Sequence, residues 1–129
     1  MILISMMLFT FIALTGCSDD SNPVSAFEPE IINNADAFQF QITDAVNVNT
    51  ILNYNWTNTG SQAPIDHSSV LSEGTATVKL YDADGTEVYS NDLVASLNES
   101  SSVGTAGIWN VQIIFVNASG TFNIRVEKL

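Results

Sequence analysis

From Ala37 to the end of the chain, apolar residues recur with a period of two, the spacing of strands with one buried face. Phe38, Phe40 and Ile42 alternate with Gln39, Gln41 and Thr43. Asp44-Ala45 interrupts. Val46, Val48, Leu52, Tyr54 and Trp56 then share one parity, with Asn at 47, 49, 53 and 55, and Ile51 is the exception. Residues 57 to 69 read as a loop. From Gly74, Ala76, Val78 and Leu80 face one way, and Thr75, Thr77, Lys79 and Tyr81 the other. Asp82-Ala83-Asp84-Gly85 is turn chemistry, and Glu87-Val88-Tyr89 returns from it. Residues 92 to 97 offer a short strand, followed by a Ser/Gly loop over residues 98 to 107. Trp109, Val111, Ile113 and Phe115 alternate with Asn110, Gln112, Ile114 and Val116. Ala118-Ser119-Gly120 reads as a turn into Phe122, Ile124 and Val126.

No window carries the 3.6-residue period of an amphipathic helix. The fold class is therefore all-β: a single antiparallel β-sandwich of about seven to eight short strands over residues 34–129. Parity also predicts register. Leu80 opposite Val88 leaves a three-residue loop, Ala83-Asp84-Gly85, with Gly85 at the position needing positive φ. Phe115 opposite Ile124 and Ile113 opposite Val126 demand an even loop around Ser119-Gly120.

The chain has 129 residues, with 14 Asp+Glu against 3 Lys+Arg and a net charge of −11. The length suits one domain. So few cations cannot neutralise a phosphate backbone, which excludes nucleic acid as a partner. With 46% hydrophobic and 13% charged residues, the chain is no disordered acidic tail. Its single Cys and single His exclude an internal disulfide framework and a structural zinc site. Nothing calls for a cofactor.

Residues 2 to 14, ILISMMLFTFIAL, form an apolar run followed by small residues. This is the pattern of a signal peptide. About 16 helical residues reach roughly 24 Å, short of a bilayer core of about 30 Å. Leu14-Thr15-Gly16-Cys17 resembles the lipobox of bacterial lipoproteins. The resemblance implies removal of residues 1–16, lipidation of Cys17 (a diacylglycerol on its sulfur) as the acylated first residue, and a membrane partner reached through that anchor. No Lys or Arg precedes the apolar run, so either translation starts upstream of Met1 or this leader is uncharged. Residues 17–33, polar with two prolines, then form a flexible tether. Ser18 after Cys17 resembles lipoproteins sent to an outer membrane, and Asp19-Asp20 resembles a surface-export signal. The implied location is the bacterial envelope, on the periplasmic face or the cell surface.

LYDADGTEVYS and the later GIWNVQIIFVNASGTFNIRVEKL resemble the bacterial pre-peptidase C-terminal domain over about residues 74 to 129. The strand grammar is shared with immunoglobulin-like sandwiches. The N-terminal half lacks that family's Asp-rich opening strand. The resemblance implies a non-catalytic accessory module with a protein or glycan partner. The alternatives are a spacer without a ligand and an envelope hydrolase.

Few residues invite chemistry. Asp66-His67-Ser68 has the letters of a triad, but neighbours in sequence cannot converge as a triad must, so His67 reads as a solvated loop residue. Asp82, Asp84 and Glu87 place hard oxygens at spacings that suit Ca²⁺, yet the twelfth position of such a loop is Leu93 rather than Glu. A hairpin turn explains the same residues. Trp56, Trp109 and Tyr54 are in register with aliphatic residues and belong to the core. The predicted register puts Tyr81 and Tyr89 together on the polar face beside Lys79 and Glu87, which makes them the candidate ligand contacts.

Overall fold

The computed structural model describes residues 23–94 and 96–129; the leader, Cys17 and the start of the tether lie outside them. A 3-10 turn, Ser25–Phe27, precedes six strands: β1 (Glu30–Asn34), β2 (Ala37–Asn58), β3 (Pro64–Tyr81), β4 (Glu87–Asp92), β5 (Leu97–Ser100) and β6 (Gly107–Glu127). All pairings are antiparallel, in the order β1-β2-β6-β3-β4, with β5 on the first half of β3.

Three of these strands are far longer than predicted. β2 has 22 residues and would span roughly 70 Å if straight, at about 3.3 Å per residue. Instead its ends meet. The Asp36 N–H, just before β2, donates to the Thr57 carbonyl at 2.8 Å, and the Phe38 and Tyr54 rings lie 5.4 Å apart. The sheet is therefore creased across β2, β6 and β3, so that its two halves face each other. One layer holds β1, the first half of β2, the second half of β6, the first half of β3 and β5. The other holds the second half of β2, the first half of β6, the second half of β3 and β4.

Irregular pairing marks the crease: the β2–β6 register shifts between Ile42 and Thr50, and the β3–β6 register between Leu71 and Thr75. Bulges bend a strand and leave backbone groups unpaired. Here Asp44, Asn47 and Asn117 take positive φ of 50°, 50° and 46°, the conformation Asn and Asp tolerate best. Neighbouring side chains satisfy the freed donors. Asp44 N–H donates to Thr121 Oγ1 (3.1 Å), Asn47 N–H to Ser119 Oγ (2.9 Å) and Asn117 N–H to Asn49 Oδ1 (2.7 Å). Gly74, at φ 72°, lets β3 touch β6, since a Cβ there would overlap the Asn117 carbonyl.

The crease explains the departures from sequence expectation. Buried positions in β3 run 65, 67, 69 and then 76, 78, 80; in β6 they run 109, 111, 113, 115 and then 118, 119, 122, 124, 126. A bulge switches parity just as a hairpin would. Ala118-Ser119-Gly120 is therefore no turn, and β6 runs through it. Ile124 pairs with Phe40 and His67 rather than with Phe115. Residues 64 to 69, expected in a loop, open β3. Part of the expected tether also joins the domain: Glu30–Asn34 is an edge strand, Val24 is fully buried, and Phe27 packs on the core. The short strand expected at residues 92 to 97 lies later, at β5.

Between the layers, Trp56 and Trp109 pair in register and pack edge-to-face, with centroids 6.0 Å apart at 88°. Both are fully buried. Their indole N–H groups donate to the Asn34 and Thr105 carbonyls at 3.0 and 2.8 Å. Phe38, Phe40, Phe115 and Phe122 extend the core toward the crease.

Candidate functional site

β3 carries Asp66, His67 and Ser68 in regular extended backbone, so their side chains alternate. Asp66 and Ser68 are exposed, whereas His67 is fully buried on the inner face. His67 is thus a core residue of β3, not the solvated loop residue its sequence context suggests. The alternation separates the three side chains instead of converging them.

The turn after β3 consumes the Asp82 carboxylate. Its Oδ1 accepts from the N–H groups of Asp84 (3.0 Å) and Thr86 (2.9 Å), and its Oδ2 from the Thr105 N–H (2.9 Å). The Thr105 bond, followed by that from Thr86, holds the Asp82 carboxyl below its ordinary pKa. Asp84 accepts from the Thr105 hydroxyl at 2.6 Å. Glu87 turns away to Lys79 at 3.6 Å. Thr105 thus holds both the Asp82 and Asp84 carboxylates within the turn while Glu87 goes to Lys79, and among the described residues no group of three metal-ligating side chains gathers.

The two tyrosines part company. Tyr81 pairs with Glu87 but Leu80 pairs with Tyr89, so Val88 is the extra residue of a bulge. Leu80 does not face Val88 as parity predicts, and Tyr89 shares Leu80's inward face. Tyr89 is 9% exposed, which corrects its expected place on the polar face. Its hydroxyl donates to Glu99 Oε2 at 2.9 Å, tying β4 to β5. Burial, with the Glu99 carboxylate adding to it, pushes the Tyr89 pKa up to about 12.

Tyr81 remains on the outer face, half-buried, at the end of β3. Across the sheet its register partner is Asn110 on β6, and Asn110's partner on β2 is Asn55. The next outward row runs Lys79, Gln112, Asn53, with Gln112 Nε2 donating to Asn53 Oδ1 at 3.0 Å. Adjacent strands lie about 4.8 Å apart, so these residues form an amide-rich platform about 10 Å across, with a phenol at one corner. Beyond it lies an apolar margin: Ile51 is 58% and Val116 48% exposed. The alternation marks each Asn and Gln as outward-facing. What it lacks is the strand order β2-β6-β3, which sets Asn55 two strands from Tyr81 although 26 residues separate them in sequence.

No known protein family matches the chain, nor does any curated protein sequence. Among solved structures, it is similar to one titled "CBM4 structure and function", with 11% identity and a TM-score of 0.46 over 85% of this chain and 82% of that one. A Yersinia pseudotuberculosis-derived mitogen gives 15% identity and a TM-score of 0.45, over 76% and 88% of the respective chains. A family 6 carbohydrate-binding module gives 15% and 0.40, over 78% and 82%.

Proposed function

We propose that this chain is a non-catalytic binding module, tethered to a bacterial envelope membrane by lipid on Cys17, whose Tyr81 platform contacts a glycan. The observation that carries the proposal is the set of side chains facing outward from three adjacent strands: Tyr81, Lys79, Asn110, Gln112, Asn53 and Asn55. Amides both donate and accept, which matches sugar hydroxyls, and a phenol ring supplies a flat apolar surface for the C–H face of a pyranose. An open sheet face admits a polymer that a closed pocket would exclude. The Asp66, His67 and Ser68 side chains leave β3 on opposite faces, which supports binding rather than hydrolysis. Lipid chains contribute about 0.8 kcal/mol per buried CH₂, enough in combination to hold the domain at a bilayer. Ser18 after Cys17, with Asp19-Asp20 beyond it, supports an outer-membrane address, on the periplasmic face or the cell surface.

The test is isothermal titration of the mature chain with soluble neutral and acidic polysaccharides, in parent and Tyr81→Ala forms. Binding by the parent that falls about tenfold or more in the variant, while the variant stays folded at the titration temperature, is the expected result. Binding that ignores Tyr81 removes the platform from the proposal. No binding to any glycan, with a protein captured through the same face, makes the partner a protein. No partner of either kind makes the chain a spacer. The lipid claim is tested by mass spectrometry of the membrane fraction, where a soluble chain with a free Cys17 thiol would end it.

A further inference from the structure

The opposite layer carries a second polar surface. Three adjoining depressions open on its outer face, and Arg125 lines all three. Register explains why. Gln39 on β2 faces Arg125 on β6, Arg125 faces Asp66 on β3, and Asp66 faces Asn98 on β5. Asn123 and Ser68 stand opposite each other in the next outward row. All these side chains belong to one sheet face, so they form a continuous groove across four strands.

Charge distinguishes this groove from its surroundings. The chain has three Lys+Arg residues. Lys79 is paired with Glu87 at 3.6 Å and Lys128 with Asp36 at 3.3 Å. Among the described residues, Arg125 is the cation with no ion pair of that kind, although Asp66 is its direct cross-strand neighbour. A guanidinium and a carboxylate thus stand side by side on an open face, with hydrogen-bonding capacity turned to whatever enters.

We infer that the Arg125 groove is a binding subsite for an uncharged saccharide bearing vicinal hydroxyls. One hydroxyl of such a diol accepts from the Arg125 guanidinium while its neighbour donates to the Asp66 carboxylate. Bonds to ionised groups are roughly twice as strong as neutral ones, and Gln39, Asn98 and Asn123 supply further donors and acceptors. An anionic sugar is disfavoured, because Asp66 and Glu127 both line the groove and the chain as a whole carries −11. A cationic ligand meets Arg125 itself. The subsite lies on the layer opposite Tyr81, so it stands or falls independently of the Tyr81 platform.

The experiment is a two-dimensional NMR titration of the mature chain with mannotriose, cellotriose and trigalacturonate. A neutral trisaccharide should shift the amides of Gln39, Asp66, Asn98 and Asn123 saturably. Arg125→Ala and Asp66→Asn should each weaken that binding about tenfold or more, whereas Val103→Ala, at an exposed loop position that lines none of the three depressions, should leave it unchanged. Both substituted positions are exposed, so melting temperatures should match the parent, and Asp66→Asn removes charge with little change of shape. Preferential binding of trigalacturonate in the groove would overturn the inference, as would shifts unaffected by Arg125→Ala. So would the absence of any shift at millimolar sugar.

Discussion

Replacing Trp109 with Ala tests the facing of the whole second layer. Trp109 is fully buried, packs edge-to-face on Trp56 at 6.0 Å, and donates its indole N–H to the Thr105 carbonyl at 2.8 Å. Removing a buried Trp side chain costs about 3–5 kcal/mol, a range that already includes the edge-to-face contact, itself about 0.5–1.5 kcal/mol. The lost indole bond adds little, because the Thr105 carbonyl also accepts from the Ala83 N–H at 3.3 Å and Thr105 is exposed to water. A domain of this size has about 5–15 kcal/mol in all. The loss is therefore a large share of the total, and the urea midpoint should fall by a corresponding fraction. Tyr81→Ala, on the outer face, should cost about 1 kcal/mol or less. The assay is urea denaturation of both variants beside the parent, followed by Trp fluorescence and far-UV circular dichroism. If Trp109→Ala kept the parent's midpoint while Tyr81→Ala lost most of it, the sheet would face the other way and the Tyr81 platform would be core.

Three shorter predictions follow from the crease and the turn. Gly74→Ala should destabilise by about 2–4 kcal/mol, since it combines a left-handed φ with overlap on the Asn117 carbonyl. Gly85→Ala, at φ 79° with open space around the added Cβ, should cost only about 1 kcal/mol in the same thermal melts; equal losses would refute the close approach of β3 and β6. Asp82 has a folded pKa below its unfolded value, so the stability it contributes is present above about pH 4 and is lost as pH falls through the folded pKa. An Asp82→Asn chain should show a shallower acid limb in pH-dependent melts. Tyr89 has the opposite sign, with a folded pKa of about 12 against the ordinary 10. Its contribution holds below pH 10 and is lost as pH rises toward 12, so Tyr89→Phe should flatten the alkaline limb.

The inward and outward assignments within each half-strand were legible because alternation is a local property. Trp56, Trp109, Val111, Ile113 and Phe115 are buried as their parity implies, and Ile51, the exception in its run, is 58% exposed. What alternation cannot report is why parity changes. At Asn117 to Gly120 the buried set passes from odd to even positions, and a hairpin and a bulge produce that same switch from similar residues. The two differ only in where the next residues pair, which is non-local. Tyr89 was misplaced by the same mechanism on a smaller scale, since a single extra residue, Val88, inverts the facing of those beyond it. Tyr81 lies before that bulge and kept its face.

The crease also decides what the protein can offer a partner. Both outer surfaces are built from β2, β6 and β3: their halves on one side of the bend present Tyr81 with Asn110 and Asn55, and those on the other present Gln39, Arg125 and Asp66. Had β6 continued without its bulge, the parity that buries Phe115 would have turned Asn123 and Arg125 inward and Phe122 and Ile124 outward. An unpaired guanidinium in that interior would be strongly unfavourable. Bending is thus what lets three long strands bury their apolar residues on both halves while keeping two polar faces outward. The residues with positive φ at the bend, Asp44, Asn47 and Asn117, thereby set which side chains reach the surface.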